Sequence, residues 1–265
     1  MTTSATVGQG RVALVTGASK GVGRGIAIAL ASEGFDIVVN YCRDREGGDE
    51  TANRIRALGR QALVIQADIG FKSEVDRMFD LVLENFGAPD VLINNSAVQS
   101  WKPLLTLLEE EWDKTLRTNL KGTFLCTQRV AHYMAKAGRG RIVNIGSGCN
   151  KVPFPNLVDY TSSKGGVEMF TRVAAVELGI YGITVNCVAP GTIEIERTRA
   201  EAPDYAETWA PLIPMRRIGR TTDVANAVVF LVSPAAEFIT GQTLYVDGGL
   251  FTQGVWPYEV KRIND

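Results

Sequence analysis

The segment RVALVTGASKGVGRG, residues 11–25, decides the fold. A short apolar run rich in valine ends in a cluster of glycines, and an apolar helical pattern follows at once. Gly17, Gly21 and Gly23 stand where the predicted strand turns into the helix. Glycine permits a tight turn and a close approach of the backbone to a ligand, and the start of a helix attracts anions. The segment therefore predicts a turn that binds the phosphates of a dinucleotide.

The rest of the chain repeats this alternation of strand and helix. Strands are predicted at 11–17, 35–41, 61–68, 89–97, 140–147, 182–191 and 241–249, and helices at 25–34, 46–58, 72–87, 107–137, 160–179 and 222–232. Nearly unbroken apolar strands are typical of a parallel sheet that helices cover on both faces. We expect one doubly wound α/β domain over residues 1–265, with an irregular insertion at 192–220 and a C-terminal tail at 250–265.

The composition argues against several other kinds of protein. The 265 residues include 28 basic and 29 acidic side chains, so neither nucleic acid nor a membrane surface is an expected partner. No apolar run approaches the roughly 20 residues of a membrane-spanning helix, and the N-terminus lacks a secretory signal pattern. The four cysteines and the single His132 are scattered, which predicts reduced thiols and no metal site. We expect a cytoplasmic protein.

Six motifs between residues 10 and 250 together resemble the short-chain dehydrogenase/reductase family. They are TGASKGVG (16–23), NNSA (94–97), Ser147, YTSSK (160–164), VNCVAPG (185–191) and YVDGG (245–249). Each motif alone is weak evidence, whereas the set is specific. The resemblance implies a Rossmann-type sheet and an NAD(P)-dependent enzyme that moves a hydride between nicotinamide and a carbonyl or secondary alcohol.

The stretch YTSSK places Tyr160 and Lys164 on one face of a helix, four residues apart. Free tyrosine has a pKa near 10, which is too high for a base at neutral pH. The Lys164 ammonium and a positive nicotinamide ring would favour the phenolate, and lowering the pKa by about three units requires roughly 4 kcal/mol. Tyr160 would then take a proton from an alcohol on oxidation or give one on reduction.

The resemblance implies four catalytic residues, namely Asn119, Ser147, Tyr160 and Lys164. In these implied roles Ser147 binds the substrate oxygen, Lys164 also holds the nicotinamide ribose, and Asn119 helps to hold a proton-relay water. The cofactor-binding residues that it implies are Gly17, Ser19, Lys20, Gly21, Val22, Gly23, Asn40, Tyr41, Arg43, Asp68, Ile69, Asn95, Ser96, Ala97, Tyr160, Lys164, Pro190, Gly191 and Ile193.

The end of the second strand favours NADP over NAD. A site that prefers NAD usually carries an acidic residue there, which binds the ribose 2′-hydroxyl. Here the strand ends in Asn40, and the next acidic residue is Asp44. Lys20 and Arg43 can reach toward a 2′-phosphate, since cations discriminate well in favour of such a group. NADP is therefore the expected cofactor, with NAD as the alternative.

Two positions depart from the family pattern. Ala97 in NNSA stands where a glycine usually lets the backbone approach the cofactor, and we expect only a slight shift in binding. Ile195 in PGTIEI replaces the threonine that helps to hold the nicotinamide carboxamide. That contact would then fall to Thr192 or to main-chain groups.

The substrate remains open among several classes. The segments 97–106, 149–157 and 192–220 are expected to form the pocket, with Trp101, Phe154 and Trp209 among its walls. The sequence resembles both glucose 1-dehydrogenases and 3-oxoacyl-carrier-protein reductases. A ketone or 3-oxoacyl reductase, a sugar or polyol dehydrogenase, and an enzyme for steroid, aromatic or other secondary alcohols are the candidates. A dinucleotide-binding sensor without turnover is the alternative outside catalysis.

The family resemblance also implies a homotetramer, with a dimer as the alternative. The helices at 107–137 and 160–179 would pair with their symmetry mates, and Val167, Phe170 and Val173 fit such a packed face. Trp256 and Tyr258 in the tail are expected to dock on a neighbouring subunit, because exposed aromatic rings are costly.

Overall fold

The computed structural model describes residues 7–254 and contains a seven-stranded, fully parallel sheet. The strands are β1 (Val12–Val15), β2 (Asp36–Tyr41), β3 (Ala62–Gln66), β4 (Val91–Asn94), β5 (Gly140–Ile145), β6 (Ile183–Pro190) and β7 (Thr243–Val246). They lie in the order β3-β2-β1-β4-β5-β6-β7, so the chain winds outward from β1 in one direction and then from β4 in the other. The predicted doubly wound fold is confirmed.

Nine α-helices are present among the described residues. They are α1 (Gly21–Ser32), α2 (Arg45–Ala57), α3 (Lys72–Phe86), α4 (Glu109–Leu116), α5 (Gly122–Ala137), α6 (Val158–Leu178), α7 (Glu196–Glu201), α8 (Tyr205–Trp209) and α9 (Thr221–Val232). The first helix begins at Gly21 rather than at residue 25, so part of the glycine cluster lies within its first turn. None of the helices described is both long and apolar enough to cross a membrane.

The helix predicted at 107–137 is not continuous. A 3-10 turn at Leu104–Thr106 precedes α4, and a π-helical turn at Arg117–Lys121 joins α4 to α5. Single π turns within helices often mark functional positions, because they re-aim the side chains that they carry. Asn119 lies in this turn and is buried.

Two apolar layers cover the sheet, one on each face. One layer contains Phe35 and Ile26 with residues of α1 and α9, and the other contains Phe79 and Met134 with residues of α3 and α5. Because both faces are buried, the central strands carry apolar side chains at successive positions. Truncation of a fully buried phenylalanine such as Phe79 to alanine costs about 3–5 kcal/mol.

Buried polar side chains tie the central strands to the helices near the carboxyl ends of β4 and β5. The Asn94 Nδ2 donates to Asn144 Oδ1 at 2.8 Å and to Thr127 Oγ1 at 3.0 Å. The Asn144 Nδ2 donates in turn to Thr171 Oγ1 at 2.9 Å. Because such groups are costly to bury unpaired, this network fixes α5 and α6 against the strand ends.

The segment 192–220 is more ordered than an irregular insertion. It contains α7, α8 and a 3-10 turn at Ala210–Leu212. Its two ends pair with each other, since the Gly219 amide donates to the Thr192 carbonyl at 2.8 Å and the Glu194 amide donates to the Gly219 carbonyl at 2.9 Å. The segment therefore forms a loop after β6 whose two ends are hydrogen-bonded to each other.

Candidate active site

The residues expected to form the site lie along the carboxyl-terminal ends of the strands, which are all on the same side of the sheet because every strand is parallel. Most of them end or follow a strand: Gly17 after β1, Asn40, Tyr41 and Arg43 at β2, Asp68 and Ile69 after β3, Asn95, Ser96 and Ala97 after β4, Ser147 after β5, and Pro190, Gly191 and Ile193 at β6. Ser19 and Lys20 lie in the turn before α1, and Gly21, Val22 and Gly23 lie in the first turn of α1. Tyr160 and Lys164 lie on α6. Ligands of open α/β sheets bind at these strand ends.

Tyr160 and Lys164 lie one turn apart near the start of α6. The Lys164 Nζ is 5.6 Å from the centre of the Tyr160 ring. The ammonium group is buried and donates to the Ile145 carbonyl at the end of β5, at 2.6 Å. The lysine is thus held between the strand end and the phenol, where it can influence the charge of both the phenol and a bound ligand.

Burial favours the neutral form of both side chains and shifts their pKa values accordingly. Burial raises the pKa of Tyr160 to about 12, while a contact with the Ser147 hydroxyl and the charge of Arg197 oppose the shift. Burial lowers the pKa of Lys164 to about 8. The lowering of the tyrosine pKa expected from Lys164 together with a nicotinamide ring is not present in the chain alone, where burial outweighs the Ser147 contact and the charge of Arg197. At neutral pH the phenol of Tyr160 is protonated.

Ser147 follows β5 and begins a short 3-10 turn. Its Oγ accepts a hydrogen bond from the Cys149 amide at 3.2 Å, which fixes the side-chain rotamer. The next residue, Gly148, lies against the Phe251 ring, where an added Cβ would come within 1.8 Å of a ring carbon. The close packing of Phe251 thus holds the Ser147 turn from the other side.

Asn119 holds the segment after β4 rather than presenting a free carboxamide. Its Oδ1 accepts from the Val98 amide at 2.8 Å, and its Nδ2 donates to the Val98 carbonyl at 2.9 Å. The same Nδ2 donates to Ser163 Oγ at 2.9 Å, and that hydroxyl donates to the Tyr160 carbonyl at 2.6 Å. The π turn thereby connects the Val98 segment to the helix that carries Tyr160.

Two of the three glycines in the turn, Gly17 and Gly23, have no room for a side chain. An added Cβ at Gly23 would lie 2.3 Å from the Gly17 carbonyl oxygen, and one at Gly17 would lie 2.8 Å from Ser96 Oγ. The Asn95 Nδ2 donates to the carbonyls of Thr16 and Gly17 at 2.9 and 3.1 Å, so it braces the turn. The turn therefore has the tight shape that a pyrophosphate-binding loop needs.

A carboxylate of the chain itself binds at the start of α1. The Gly21 amide, at the start of α1, donates to Glu196 Oε2 at 3.0 Å. Arg24 Nη1 lies 3.5 Å from Glu196 Oε1. The helix N-terminus thus holds a negatively charged oxygen of the chain itself, as the free amides at the start of a helix favour. No sequence motif marks Glu196, because its partner Gly21 is distant along the chain.

The end of β2 presents two cations and one buried amide. Arg43 is exposed and takes part in none of the ion pairs among the described residues, whereas Lys20 Nζ lies 3.6 Å from Asp44 Oδ2. The Asn40 side chain accepts from the Gly17 amide at 3.2 Å and donates to the Ala67 carbonyl at 3.1 Å. Asn40 therefore joins β2 to the glycine turn and to the residue after β3. Neither Lys20 nor Arg43 takes part in these hydrogen bonds of Asn40.

The remaining expected cofactor residues frame the edge on both sides of the glycine turn. Asp68 Oδ1 accepts from the Gly70 amide at 2.9 Å, while Ile69 is buried. Gly191 has no room for a Cβ, which would lie 2.8 Å from the Asp247 Cα. Ile193 is also buried and pairs with Gly219. Ser19 and Tyr41 are buried, Val22, Ser96 and Pro190 are half-buried, and Ala97 is exposed.

An aromatic cluster lies beside the Ser147 turn. The Phe154 ring packs edge-on against Trp209 at 5.7 Å and lies 6.0 Å from Phe251. Tyr205 is 6.3 Å from Trp209. Of the rings expected to line the pocket, Phe154 and Trp209 are brought together, whereas Trp101 is largely exposed. Tyr205 and Phe251 complete the cluster, and no sequence pattern singled them out.

Comparison with known proteins supports the family resemblance. A family model described as enoyl-(acyl carrier protein) reductase matches residues 17–251. A 3-oxoacyl-(acyl-carrier-protein) reductase of Staphylococcus aureus is 42% identical over 239 residues, which is 90% of this chain and 97% of that protein.

Solved structures agree in fold. A putative short-chain alcohol dehydrogenase of Sinorhizobium meliloti superimposes with a TM-score of 0.88 at 37% identity, covering 94% of this chain and 99% of that one. A gluconate 5-dehydrogenase of Burkholderia cenocepacia, in complex with NADP and tartrate, superimposes with a TM-score of 0.87 at 34% identity, with the same coverage. The chain therefore belongs to the short-chain dehydrogenase/reductase family of NAD(P)-dependent oxidoreductases.

Proposed function

We propose that the protein uses NADPH to reduce a ketone or a 3-oxoacyl group to the alcohol. The observation that carries this proposal is the arrangement of Tyr160, Lys164 and Ser147 at the end of β5, with a protonated phenol beside a buried ammonium group. A reductase needs a proton donor at neutral pH, and the phenol of Tyr160, whose pKa lies above its ordinary value near 10, is protonated there.

The chain offers a donor set that fits a dinucleotide phosphate. The Gly21 amide already binds a carboxylate oxygen, and Gly17 and Gly23 let the turn pack tightly against its neighbours, where an added Cβ would lie within 3 Å of other atoms of the chain. Lys20 and Arg43 are the cations that would hold a 2′-phosphate, which is absent from NAD. The NADP complex of the Burkholderia relative supports the same choice of cofactor. When bound, NADPH supplies the hydride.

The proposed roles of the side chains follow from their positions. The Ser147 hydroxyl donates a hydrogen bond to the substrate oxygen, which orients the carbonyl toward Tyr160. The Tyr160 Oη gives its proton to that oxygen as negative charge develops on it. The Lys164 ammonium stabilises the phenolate that remains, because an opposite charge favours the ionised form. Asn119 holds the Val98 segment and α6 in register around these groups.

The aromatic cluster favours an apolar substrate. Phe154, Trp209 and Phe251 supply ring surface beside the Ser147 turn. A groove of about 410 Å³ adjoins Phe154 and is lined mostly by apolar side chains, including Leu104, Leu157 and Val158. Polyols need many hydrogen-bonding partners, whereas rings and acyl chains gain from burial against such a wall. The 3-oxoacyl reductase activity of the Staphylococcus relative agrees with this preference.

A sugar acid is the second candidate substrate. The observation that favours it is the structural similarity to the gluconate 5-dehydrogenase. Arg197 lies close enough to act on the charge of Tyr160 and could accept a carboxylate. The substrate panel described below separates the two candidates.

We propose that the enzyme works as a homotetramer, built through α5 and α6. Several apolar side chains on and just after these helices are exposed in the single chain, namely Phe124, Met169, Val173, Val176 and Ile180. Val167 and Phe170 pack mainly within the subunit. Val176→Glu is expected to dissociate the assembly, as native mass spectrometry would report, because a buried unpaired charge is costly. The expected docking of Trp256 and Tyr258 lies outside the described residues.

We also propose that the protein acts in the cytoplasm. All four cysteines are free thiols, and Cys126 and Cys187 are buried. Unpaired thiols are typical of a reducing compartment. Recovery of the native protein from the soluble cytoplasmic fraction of its source is the expected result, and recovery from an oxidising compartment would contradict it.

The test of function is a panel of 3-oxoacyl thioesters, apolar ketones and keto sugar acids, each with NADPH and with NADH. We expect NADPH-dependent turnover of the first two classes. Lys20→Ala combined with Arg43→Ala is expected to weaken NADPH binding at least ten-fold and to leave NADH binding unchanged, and Lys72→Ala on α3 is the control. Turnover of sugar acids alone would replace the proposal with the second candidate.

A further inference from the structure

The first turn of α6 carries Tyr160 but has no side-chain cap. The residue at the N-cap is Leu157, which has no polar side chain to accept a hydrogen bond from the free amides of the turn. The Thr161 amide donates to the Leu157 carbonyl at 2.8 Å, which is the ordinary backbone bond of a first turn. Uncapped helix ends fray, so another contact must hold the phenol of Tyr160 in place.

Asp159 supplies such a contact from the residue next to Tyr160. Its side chain is buried, with only 1% of the residue exposed. One carboxylate oxygen, Oδ2, accepts from Thr115 Oγ1 at 2.7 Å and from the Ser100 amide at 3.2 Å. A buried carboxylate is tolerated only where hydrogen bonds pair it, and the start of a helix favours its negative charge. Asp159 therefore fastens the first turn of α6 to α4 and to the segment after β4.

A second connection reaches the same turn from the other side. Ser163 Oγ donates to the Tyr160 carbonyl at 2.6 Å and accepts from the Asn119 Nδ2 at 2.9 Å. Asn119 in turn holds Val98, two residues from the Ser100 amide that Asp159 binds. The turn that carries Tyr160 is thus connected at two points to one segment, residues 98–100.

We propose that Asp159 is a positioning residue for the reaction: it fixes the Tyr160 phenol by joining the first turn of α6 to Ser100 and Thr115. This inference rests on the proposed role of Tyr160 as proton donor. Asp159 acts through Tyr160 and does not touch the substrate.

Two variants of Asp159 can show whether its hydrogen bonds or its negative charge is what positions Tyr160. Because a single oxygen of Asp159 accepts both bonds, the carboxamide oxygen of Asp159→Asn can accept the same two. Asp159→Ala removes the acceptor and leaves the Thr115 hydroxyl and the Ser100 amide without it. Misplacement of a reacting group by about 1 Å can cost roughly 100-fold in rate.

The experiment compares Asp159→Ala, Asp159→Asn and Thr115→Val with Ser233→Ala as the control. Ser233 is a buried hydroxyl at the end of α9 that donates to the Phe230 carbonyl at 2.8 Å, far along the chain from the site. We expect kcat to fall roughly 10- to 100-fold in Asp159→Ala and a few-fold in Thr115→Val. KM for NADPH is expected to stay within about two-fold, and Asp159→Asn to restore most of kcat.

Hydrogen exchange in the cofactor-free protein gives a readout that needs no substrate. Amides in residues 159–163 are expected to exchange faster in Asp159→Ala than in wild type, while those in the second half of α6 do not change. Unchanged exchange in this turn, or a kcat of Asp159→Ala equal to that of Ser233→Ala, would overturn the assignment. A kcat for Asp159→Asn as low as that of Asp159→Ala would also overturn it. Faster exchange with no turnover in wild type would instead locate the failure in the proposed substrate.

Discussion

Removal of the charge of Glu196 is expected to tighten NADPH binding. In the cofactor-free chain the Glu196 carboxylate accepts from the Gly21 amide at 3.0 Å and lies 3.5 Å from Arg24 Nη1. A phosphate that binds at the start of α1 must displace this carboxylate or lie beside it. Both outcomes cost free energy, because the first breaks existing contacts and the second places like charges together.

The size of the effect follows from the exposure of the contacts. A hydrogen bond to a charged group contributes about 1.5–3 kcal/mol when it is shielded from water. The Glu196 side chain is 54% exposed, so the bond is worth less, about 1 kcal/mol, and the ion pair with Arg24 adds at most ~1 kcal/mol. Glu196→Gln keeps an oxygen that can accept from the Gly21 amide but removes the negative charge, so the change is expected to be about 1 kcal/mol. Because 1.4 kcal/mol is ten-fold in affinity, the Kd for NADPH is expected to fall about five-fold.

The assay is a fluorescence titration of NADPH at low and at high salt. Glu201→Gln is the matched control, since Glu201 lies on the same short helix and pairs with Arg197 at 3.7 Å, away from the glycine turn. The gap between wild type and Glu196→Gln is expected to narrow as salt rises, because salt screens exposed charges. An unchanged or higher Kd in Glu196→Gln, or an equal gain in Glu201→Gln, would refute the reasoning.

Three further predictions follow from the glycine turn and from the shifted pKa values of Lys164 and Tyr160. In the folded chain the pKa of Lys164 is about 8, below its ordinary 10.5. Below pH 8 the lysine is protonated in both the folded and the unfolded chain. Between pH 8 and pH 10.5 it is protonated mainly in the unfolded chain. The contribution of Lys164 to stability therefore rises by up to about 3 kcal/mol between pH 8 and pH 10.5. The difference in the free energy of unfolding between wild type and Lys164→Met, measured in urea across that range, is expected to change by this amount. Gly23→Ala is expected to abolish NADPH binding in a calorimetric titration, because the new Cβ would lie 2.3 Å from the Gly17 carbonyl oxygen; Gly165→Ala, where a Cβ meets nothing within 4 Å, is the control that keeps binding. The difference spectrum between wild type and Tyr160→Phe is expected to show a phenol that ionises near pH 12, and a midpoint near 10 would contradict the burial argument.

The sheet could be predicted from sequence because its pattern is local. Apolar runs such as residues 91–94 mark a strand that is buried on both faces, and the glycine cluster after β1 marks the crossover into α1. The parallel order places Ser147 at the carboxyl ends of the strands, and the family resemblance adds Tyr160 and Lys164 on the helix that follows.

The contacts that tune the site could not be predicted in this way. Glu196 meets Gly21 only because the segment after β6 folds back over the glycine turn. The π turn that aims Asn119 interrupts a continuous helical pattern, and periodicity alone does not reveal such a turn. The pKa of Tyr160 in the chain alone depends on burial and on distances in space, which the spacing of Tyr160 and Lys164 along the sequence does not give.

The most direct test of the central claim is the rate of NADPH oxidation with the 3-oxoacyl thioester and ketone panel, in wild type and in Tyr160→Phe. Tyr181→Phe, which removes a hydroxyl from an exposed tyrosine, is the control. The account predicts turnover in wild type and in the control, and a loss of at least 1000-fold in kcat for Tyr160→Phe with little change in the Kd for NADPH. Equal turnover in wild type and Tyr160→Phe would contradict the assignment of the proton donor.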